Sequence, residues 1–268
     1  MNILETGKLV VVRGGGDLAT GVIQKLHRVG FKLLVLEVEQ PLAIRRSVAI
    51  CEAMYDGFAN VEDIAARRIS DLDEISACFA AGQVPVFADP KGDAIFKLSP
   101  IAVVDAILAK RNINTHKGMA PITIALGPGF SAPQDVSAVI ETKRGHDLGR
   151  LILNGGALPN TGIPGEIGGK SAERVLHAPA AGLIKHIRKI GDIVEKDEPI
   201  FQVGQTIVHA PFCGLIRGLI REGIAVQKGL KLADVDPRTD VDVNTISDKA
   251  RCLGGAVLEA LLHLGRDL

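Results

Sequence analysis

The chain has 268 residues, enough for two domains, and its 47% hydrophobic and 23% charged content marks it as globular rather than disordered. Its 31 basic and 31 acidic residues cancel to zero net charge, and it has no tryptophan, one tyrosine and eight phenylalanines. That balance excludes a general footprint for nucleic acid or a membrane surface, and so few rings exclude a base-stacking platform. No run approaches the roughly 18 apolar residues of a membrane span, and the first residues lack the basic-then-apolar pattern of a signal peptide. Cys51, Cys78, Cys213 and Cys252 are scattered, without CxxC or zinc spacing. Buried free thiols in a reducing cytoplasm, with no bound metal, are the expectation.

Residues 8–13 form a β-rich run that breaks into three glycines and then into helical spacing, with Leu18, Val22, Leu26 and Val29 on one face. Gly30 closes that helix, and a second apolar run at 33–38 carries Glu37. Gly14-x-Gly16-x-x-Ala19 between a strand and a helix is the dinucleotide-binding fingerprint in its Ala-ending form. Glycines permit the tight turn and the approach of a pyrophosphate, and the helix N-terminus offers it N–H groups and the positive end of a dipole. Residues 83–88, 121–126 and 136–141 read as further strands, with helices at 61–68, 71–81 and 101–111. This alternation predicts a Rossmann-like parallel α/β sheet over residues 1–153.

The expected ligand site is Arg13, Gly14, Gly15, Gly16, Asp17, Leu18 and Ala19, with Glu37 about twenty residues on to meet a ribose hydroxyl. Arg45 and Arg46 follow closely, and their forked guanidinium groups match phosphate geometry. Glu37 favours an unphosphorylated ribose and the two arginines an extra phosphate, so NAD and NADP both stay open. Gly127 and Gly129, after the fourth strand, form a second wall of the crevice in this reading. His146 beside Asp147 has the composition of a general base, but no Ser or Cys stands in an elbow motif as its partner, so it is expected among the structural or ligand-contacting residues rather than as a catalyst.

Residues 154–170 are rich in Gly and Pro and read as a loop. An internal repeat follows at an offset of 32: His177-Ala178-Pro179-Ala180-Ala181-Gly182-Leu183-Ile184 against His209-Ala210-Pro211-Phe212-Cys213-Gly214-Leu215-Ile216. Gly191, Val194 and Lys196 likewise match Gly223, Val226 and Lys228. Two interlocked β halves over residues 171–236 are the expectation. With Gly191-Asp192-Ile193-Val194, this module resembles the biotinyl/lipoyl family, a barrel-sandwich hybrid. That family carries its prosthetic group on a hairpin lysine, whereas Gln202-Val203-Gly204-Gln205-Thr206-Ile207 has none. Neither biotin nor lipoate is therefore expected. Residues 237–268 close the chain with a helix capped by Ser247 and striped by Ala250, Leu253, Val257, Leu261 and Leu264. It is expected to pack on the α/β domain with Gly254-Gly255 at a close approach, and to favour a homo-oligomer if left partly uncovered.

Nearly the whole chain resembles the YqeB family of accessory proteins from selenium-dependent molybdenum hydroxylase systems. The resemblance rests on residues 12–21, on Pro41-Leu42-Ala43-Ile44-Arg45-Arg46, on Leu126-Gly127-Pro128-Gly129-Phe130 and on Ile140-Glu141-Thr142 with residues 144–150. It continues in Asn160-Thr161-Gly162-Ile163-Pro164-Gly165 and Thr245-Ile246-Ser247-Asp248-Lys249-Ala250-Arg251. It implies a role in maturing a client such as a purine or xanthine dehydrogenase, without specifying a reaction. By analogy with xanthine dehydrogenase accessory proteins, it points to a nucleotide or molybdopterin dinucleotide ligand. An NAD(P)-dependent oxidoreductase, and a scaffold whose nucleotide site is vestigial, are the alternatives. Cys51 is the one candidate sulfur or selenium carrier.

Overall fold

The structure is a computed structural model and describes residues 8–162 and 164–267; Ile163 of the Gly/Pro-rich loop lies outside the described residues. The chain divides into two units. The sheet unit holds the described residues up to Pro41, Ala49–Asn160 and the segment from Ile246 onward; the β unit holds Leu42–Val48 and Thr161–Thr245. Residues 42–48, expected within the first domain, thus belong to the second unit.

The sheet unit contains β1 (Leu9–Arg13), β2 (Lys32–Glu37), β3 (Phe58–Val61), β4 (Ile64–Ile69), β5 (Val84–Ala88), β6 (Ala102–Asp105), β7 (Ile122–Leu126), β8 (Ala138–Ile140) and β9 (Leu151–Ile152). Its helices are α1 (Asp17–Arg28), α2 (Ala53–Asp56), α3 (Ile75–Ala80), α4 (Asp93–Leu98) and α5 (Asp248–Leu264). The strand order is β3-β4-β5-β2-β1-β6-β7-β8-β9. Val10, Val11 and Val12 are wholly buried in β1, between parallel β2 and β6, as a central strand covered on both faces must be.

The Rossmann-like parallel sheet expected from the sequence does not form. The nine-stranded sheet is mixed, because β3 pairs antiparallel with β4 at one edge and β9 antiparallel with β8 at the other. A doubly wound fold also carries a helix on each crossover. Here α1 has 12 residues, but α3 and α4 have six each, and neither the β6–β7 nor the β7–β8 connection holds an α-helix. Two expected helices are strands. Residues 61–68 instead end β3 and enter β4, where buried Ile64, Ala66 and Ile69 bracket the exposed Arg67 and half-buried Arg68. Residues 101–111 hold β6, whose four residues are all buried.

Small residues let α1 and α5 touch. A Cβ on Gly21 would collide with the Ala250 carbonyl, and one on Gly254 with the Gly21 carbonyl, whereas Gly255 opens onto space. Ser247 Oγ caps α5 by accepting from Ala250 N at 3.2 Å.

The β unit contains β10 (Val175–His177), β11 (Gly182–His186), β12 (Ile193–Val194), β13 (Pro199–Val203), β14 (Thr206–His209), β15 (Gly214–Leu219), β16 (Ala225–Val226) and β17 (Lys231–Asp236). They make two four-stranded antiparallel sheets, β10-β17-β15-β12 and β14-β13-β11-β16. The repeat is built literally: β11, β12 and β13 begin at 182, 193 and 199, and β15, β16 and β17 at 214, 225 and 231. Each copy lends its first strand to the other's second, since β11 pairs with β16 and β12 with β15. Ile184, Ile200, Phe201, Ile216, Leu219 and Val235 form the shared core. The β13–β14 turn is Gly204-Gln205.

Candidate functional site

The glycine turn leaves the carboxyl end of β1 and enters α1. Gly14 is tied by its N–H to the Leu36 carbonyl at 2.8 Å, and with φ +93° it takes a conformation that favours glycine. A Cβ there would sit 2.9 Å from the Ala106 carbonyl oxygen, and one on Gly15 would sit 3.1 Å from Cys51 N. Gly16 differs. A Cβ there meets nothing within 4 Å, and as N-cap of α1 it has no side chain to satisfy the first-turn N–H groups. Asp17 and Leu18 are half-buried behind it, and Ala19 is buried.

Glu37 stands over this turn but faces inward. Its Oε1 accepts from Gly15 N at 2.7 Å and its Oε2 from Val38 N at 2.9 Å. Burial raises its carboxyl above the ordinary carboxylate range, and those two N–H groups oppose the rise. Cys51, whose N–H donates to the Gly15 carbonyl at 2.9 Å, lies beneath. Burial, then the Glu37, Glu52 and Asp17 carboxylates, push its thiol well above the usual value. A sulfur carrier needs an accessible thiolate in a positive setting, and Cys51 is the reverse. The expectation of four buried thiols holds only for Cys51 and Cys78, because Cys213 and Cys252 are exposed.

The arginines do not converge on the turn. Arg13 is buried and committed to structure, donating to Asn114 Oδ1 at 2.6 Å, to Pro90 O at 3.0 Å and to Thr115 Oγ1, with Asp105 at 4.0 Å. It anchors the helix-free β6–β7 connection. Arg45 and Arg46 lie in the β unit, where Arg46 Nε donates to Leu219 O at 2.8 Å and Arg45 Nη2 to Thr245 O at 3.4 Å. Gly127 and Gly129 are packing positions: a Cβ would lie 2.6 Å from Thr142 Oγ1 at the first and 2.5 Å from Arg111 Cα at the second. His146 is exposed, and Asp147 pairs with Arg150 at 3.1 Å.

Three further residues gather by the start of α5. Glu141, directly after β8, is buried and accepts from Thr142 N and Lys143 N at 2.7 Å and from Leu158 N at 2.8 Å. Arg144 holds Asp248 through two bonds of 2.8 Å. Lys249, in the first turn of α5, is half-buried. Burial, then Arg144, pulls its amine below the ordinary lysine range, against the Asp17, Glu141 and Asp248 carboxylates. The sequence marks residues 247–251 only as a helix start, and no local pattern tells that Lys249 is half-buried there. Among the described residues no cluster of three or more His, Cys, Asp or Glu could hold a metal ion, and no helix is long and apolar enough to cross a membrane.

No family model matches the chain. The protein YqeB of Escherichia coli (strain K12), which carries the label uncharacterized, is 48% identical over 258 residues, 96% of this chain. By that likeness the chain belongs to the YqeB family. It spans about half the length of that relative, 48%. Among solved structures, it is similar to the ectoine utilization protein EutE (DoeB) from Ruegeria pomeroyi, at 11% identity over 86% of this chain and 85% of that one, TM-score 0.25. A succinylglutamate desuccinylase from Silicibacter sp. TM1040 gives 11% over 86% and 85%, TM-score 0.26. An aspartoacylase family protein from Mesorhizobium loti gives 10% over 87% and 86%, TM-score 0.28. Likenesses that low carry no argument about activity, and the correction of the fold rests on the sheet itself.

Proposed function

We propose that the chain is an accessory factor of a selenium-dependent molybdenum hydroxylase system, and that its sheet unit binds a phosphate-bearing ligand of the nucleotide class at the start of α1. The observation that carries the binding half is Gly16. Of the five candidate glycines it alone opens onto space, and it does so at the uncapped N-terminus of a 12-residue helix. The accessory half rests on what the sequence resemblance implies, and four free cysteines suit a reducing cytoplasm. Molybdopterin dinucleotide and NAD(P) are the candidate ligands, and a molybdenum hydroxylase is the candidate client.

The oxidoreductase reading is the weaker one, because it puts the substrate between Gly129, packed on Arg111, and His146, exposed on its loop. The test is the thermal shift of the protein with NAD, NADP, AMP, CTP and molybdopterin dinucleotides, repeated with Gly16→Val. A ligand at a hundredfold over its Kd stabilises by about 2.7 kcal/mol. Gly16 has φ −67°, open to any residue, so valine there fills the space without forcing the backbone. A shift lost in Gly16→Val supports the site, and no shift with any compound sinks it. Co-purification with a molybdenum hydroxylase tests the role, and NADH consumption without a client would favour the oxidoreductase.

A further inference from the structure

The internal repeat gives the β unit two outer faces that correspond residue by residue, and they differ in cover. On the sheet β10-β17-β15-β12, outward Val175 and Leu215 are 8% and 4% exposed. Their counterparts in the repeat on β14-β13-β11-β16, Ile207 and Leu183, are 46% and 62% exposed. The chain's own Gly/Pro-rich loop reaches the covered face, where Arg174 donates to the Gly165 carbonyl at 3.1 Å and to Asp234 Oδ1 at 2.6 Å. Asp234 also accepts from Arg217 Nε at 2.9 Å, so the charges of that face are matched within it. On the bare face Lys185 stands in the place of Arg217 and Gln202 in the place of Asp234, opposite each other in the β11–β13 register. The cation has a counterpart there and its acid has none. Ile184 is buried in the core, and the alternation turns Leu183, Lys185 and Ile187 outward along one line, all exposed, with Ile207 across Gln202.

We propose that this bare face docks a second protein through an extended segment whose carboxylate is flanked, two residues to either side, by aliphatic side chains. In an extended chain residues two apart share a face at a spacing of about 6.7 Å. Leu183, Lys185 and Ile187 follow the same spacing, so the carboxylate meets Lys185 while the aliphatic groups cover Leu183 and Ile187. Charge favours this occupant over a second copy of the chain. Leu183, Lys185, Ile187, Gln202 and Ile207 include no acid, and a twofold contact would set Lys185 against its own copy. Docking here needs no ligand at α1, and it stands or falls apart from the nucleotide reading.

The test is titration of the full chain, isotope-labelled for NMR, with the capped peptides Val-Ser-Glu-Ser-Val and Val-Ser-Lys-Ser-Val, on the wild type, Lys185→Glu and Leu183→Ser. Expected with the wild type is movement of the β11, β13 and β14 amide signals by the glutamate peptide and not by the lysine peptide. Lys185→Glu reverses that preference, and Leu183→Ser weakens the glutamate peptide by about three- to fivefold. Both side chains are exposed, so neither substitution should alter melting. No movement at about 5 mM peptide, where a millimolar Kd still shows, overturns the docking. So do equal shifts by both peptides, a preference that survives Lys185→Glu, or shifts that map away from this sheet. Sedimentation of the peptide-free wild type should find a monomer. A dimer that Leu183→Ser dissociates would give the face to a second copy and sink the proposal.

Discussion

Two glycine turns leave the carboxyl ends of strands in the sheet unit, one after β1 and one after β7, and they serve opposite ends. In the second, Gly127 and Gly129 are glycine because the chain has packed Thr142 and the Arg111 backbone where a Cβ would go. In the first, Gly14 and Gly15 obey the same constraint, but Gly16 faces nothing. Glycine that makes room for the protein itself and glycine that leaves room for something else are the same letter in a sequence. Only the neighbours separate them.

The largest expected effect comes from Arg13. Arg13→Met strands the buried Asp105 carboxyl and frees the loop at Asn114 and Thr115, so unfolding free energy in urea should fall by about 3–5 kcal/mol. A loss under about 1 kcal/mol would mean that Arg13 is not committed to structure, and would return it to the list of ligand residues. Next is the direct contrast of the turns. Gly129→Ala combines φ +109° with a Cβ 2.5 Å from Arg111 Cα and should cost about 2–4 kcal/mol, whereas Gly16→Ala should cost under about 1 kcal/mol. Equal costs would erase the comparison. Lys249→Met should leave stability within about 0.5–1 kcal/mol of the wild type, because the side chain is only half-buried.

The smallest effect is a dependence on acid. Asp63 is held near a pKa of about 2, first by its hydrogen bond from Arg28 and then by Gln24, against its own desolvation. Its folded value lies below the unfolded one, so its contribution is complete above pH ~4 and disappears as pH falls through about 2. Asp63→Asn should flatten the fall of the urea midpoint between those limits, and an unchanged slope would show the pair to be solvent-screened. Asp63 and Glu62 form the turn between β3 and β4, and Glu62 accepts from Ile246 N at 2.7 Å, which steadies the entry to α5.

How much of this was legible depended on whether the signal was local. The repeat could be read because its spacing of 32 is carried by Gly, Pro and His letters that survive in both copies, and β15, β16 and β17 start at that offset from β11, β12 and β13. The strand-turn-helix at residues 9–28 was legible for the same reason. β6 was not. Buried on both faces between β1 and β7, it shows no alternation, and a short continuous apolar run is consistent with helix or strand. β4 hid because its two arginines fall where a helix would also expose them. Gly16 and Glu37, expected together from the sequence, do belong to one turn, and Glu37 points at the turn itself. Arg45 and Arg46 were misplaced because seven residues cross to the other unit without any break in composition. The contact of α1 with α5 was not legible in detail, because it depends on Gly21 and Gly254, more than 200 residues apart.

Those seven residues, Leu42–Val48, bear on how such a protein is inherited. They strap the β unit: Leu219 N donates to Ile44 O at 2.9 Å, Ser47 Oγ to Val243 O at 2.7 Å, and the Ile44 side chain packs on the unit's core. A recombination event that excised the stretch coding for residues 161–245 would leave the strap behind. The transplanted module would arrive with the Leu219 amide unpaired and one flank of its core bare. The β unit is thus not a portable cassette. Shuffling could pass it on only together with the coding sequence of the sheet.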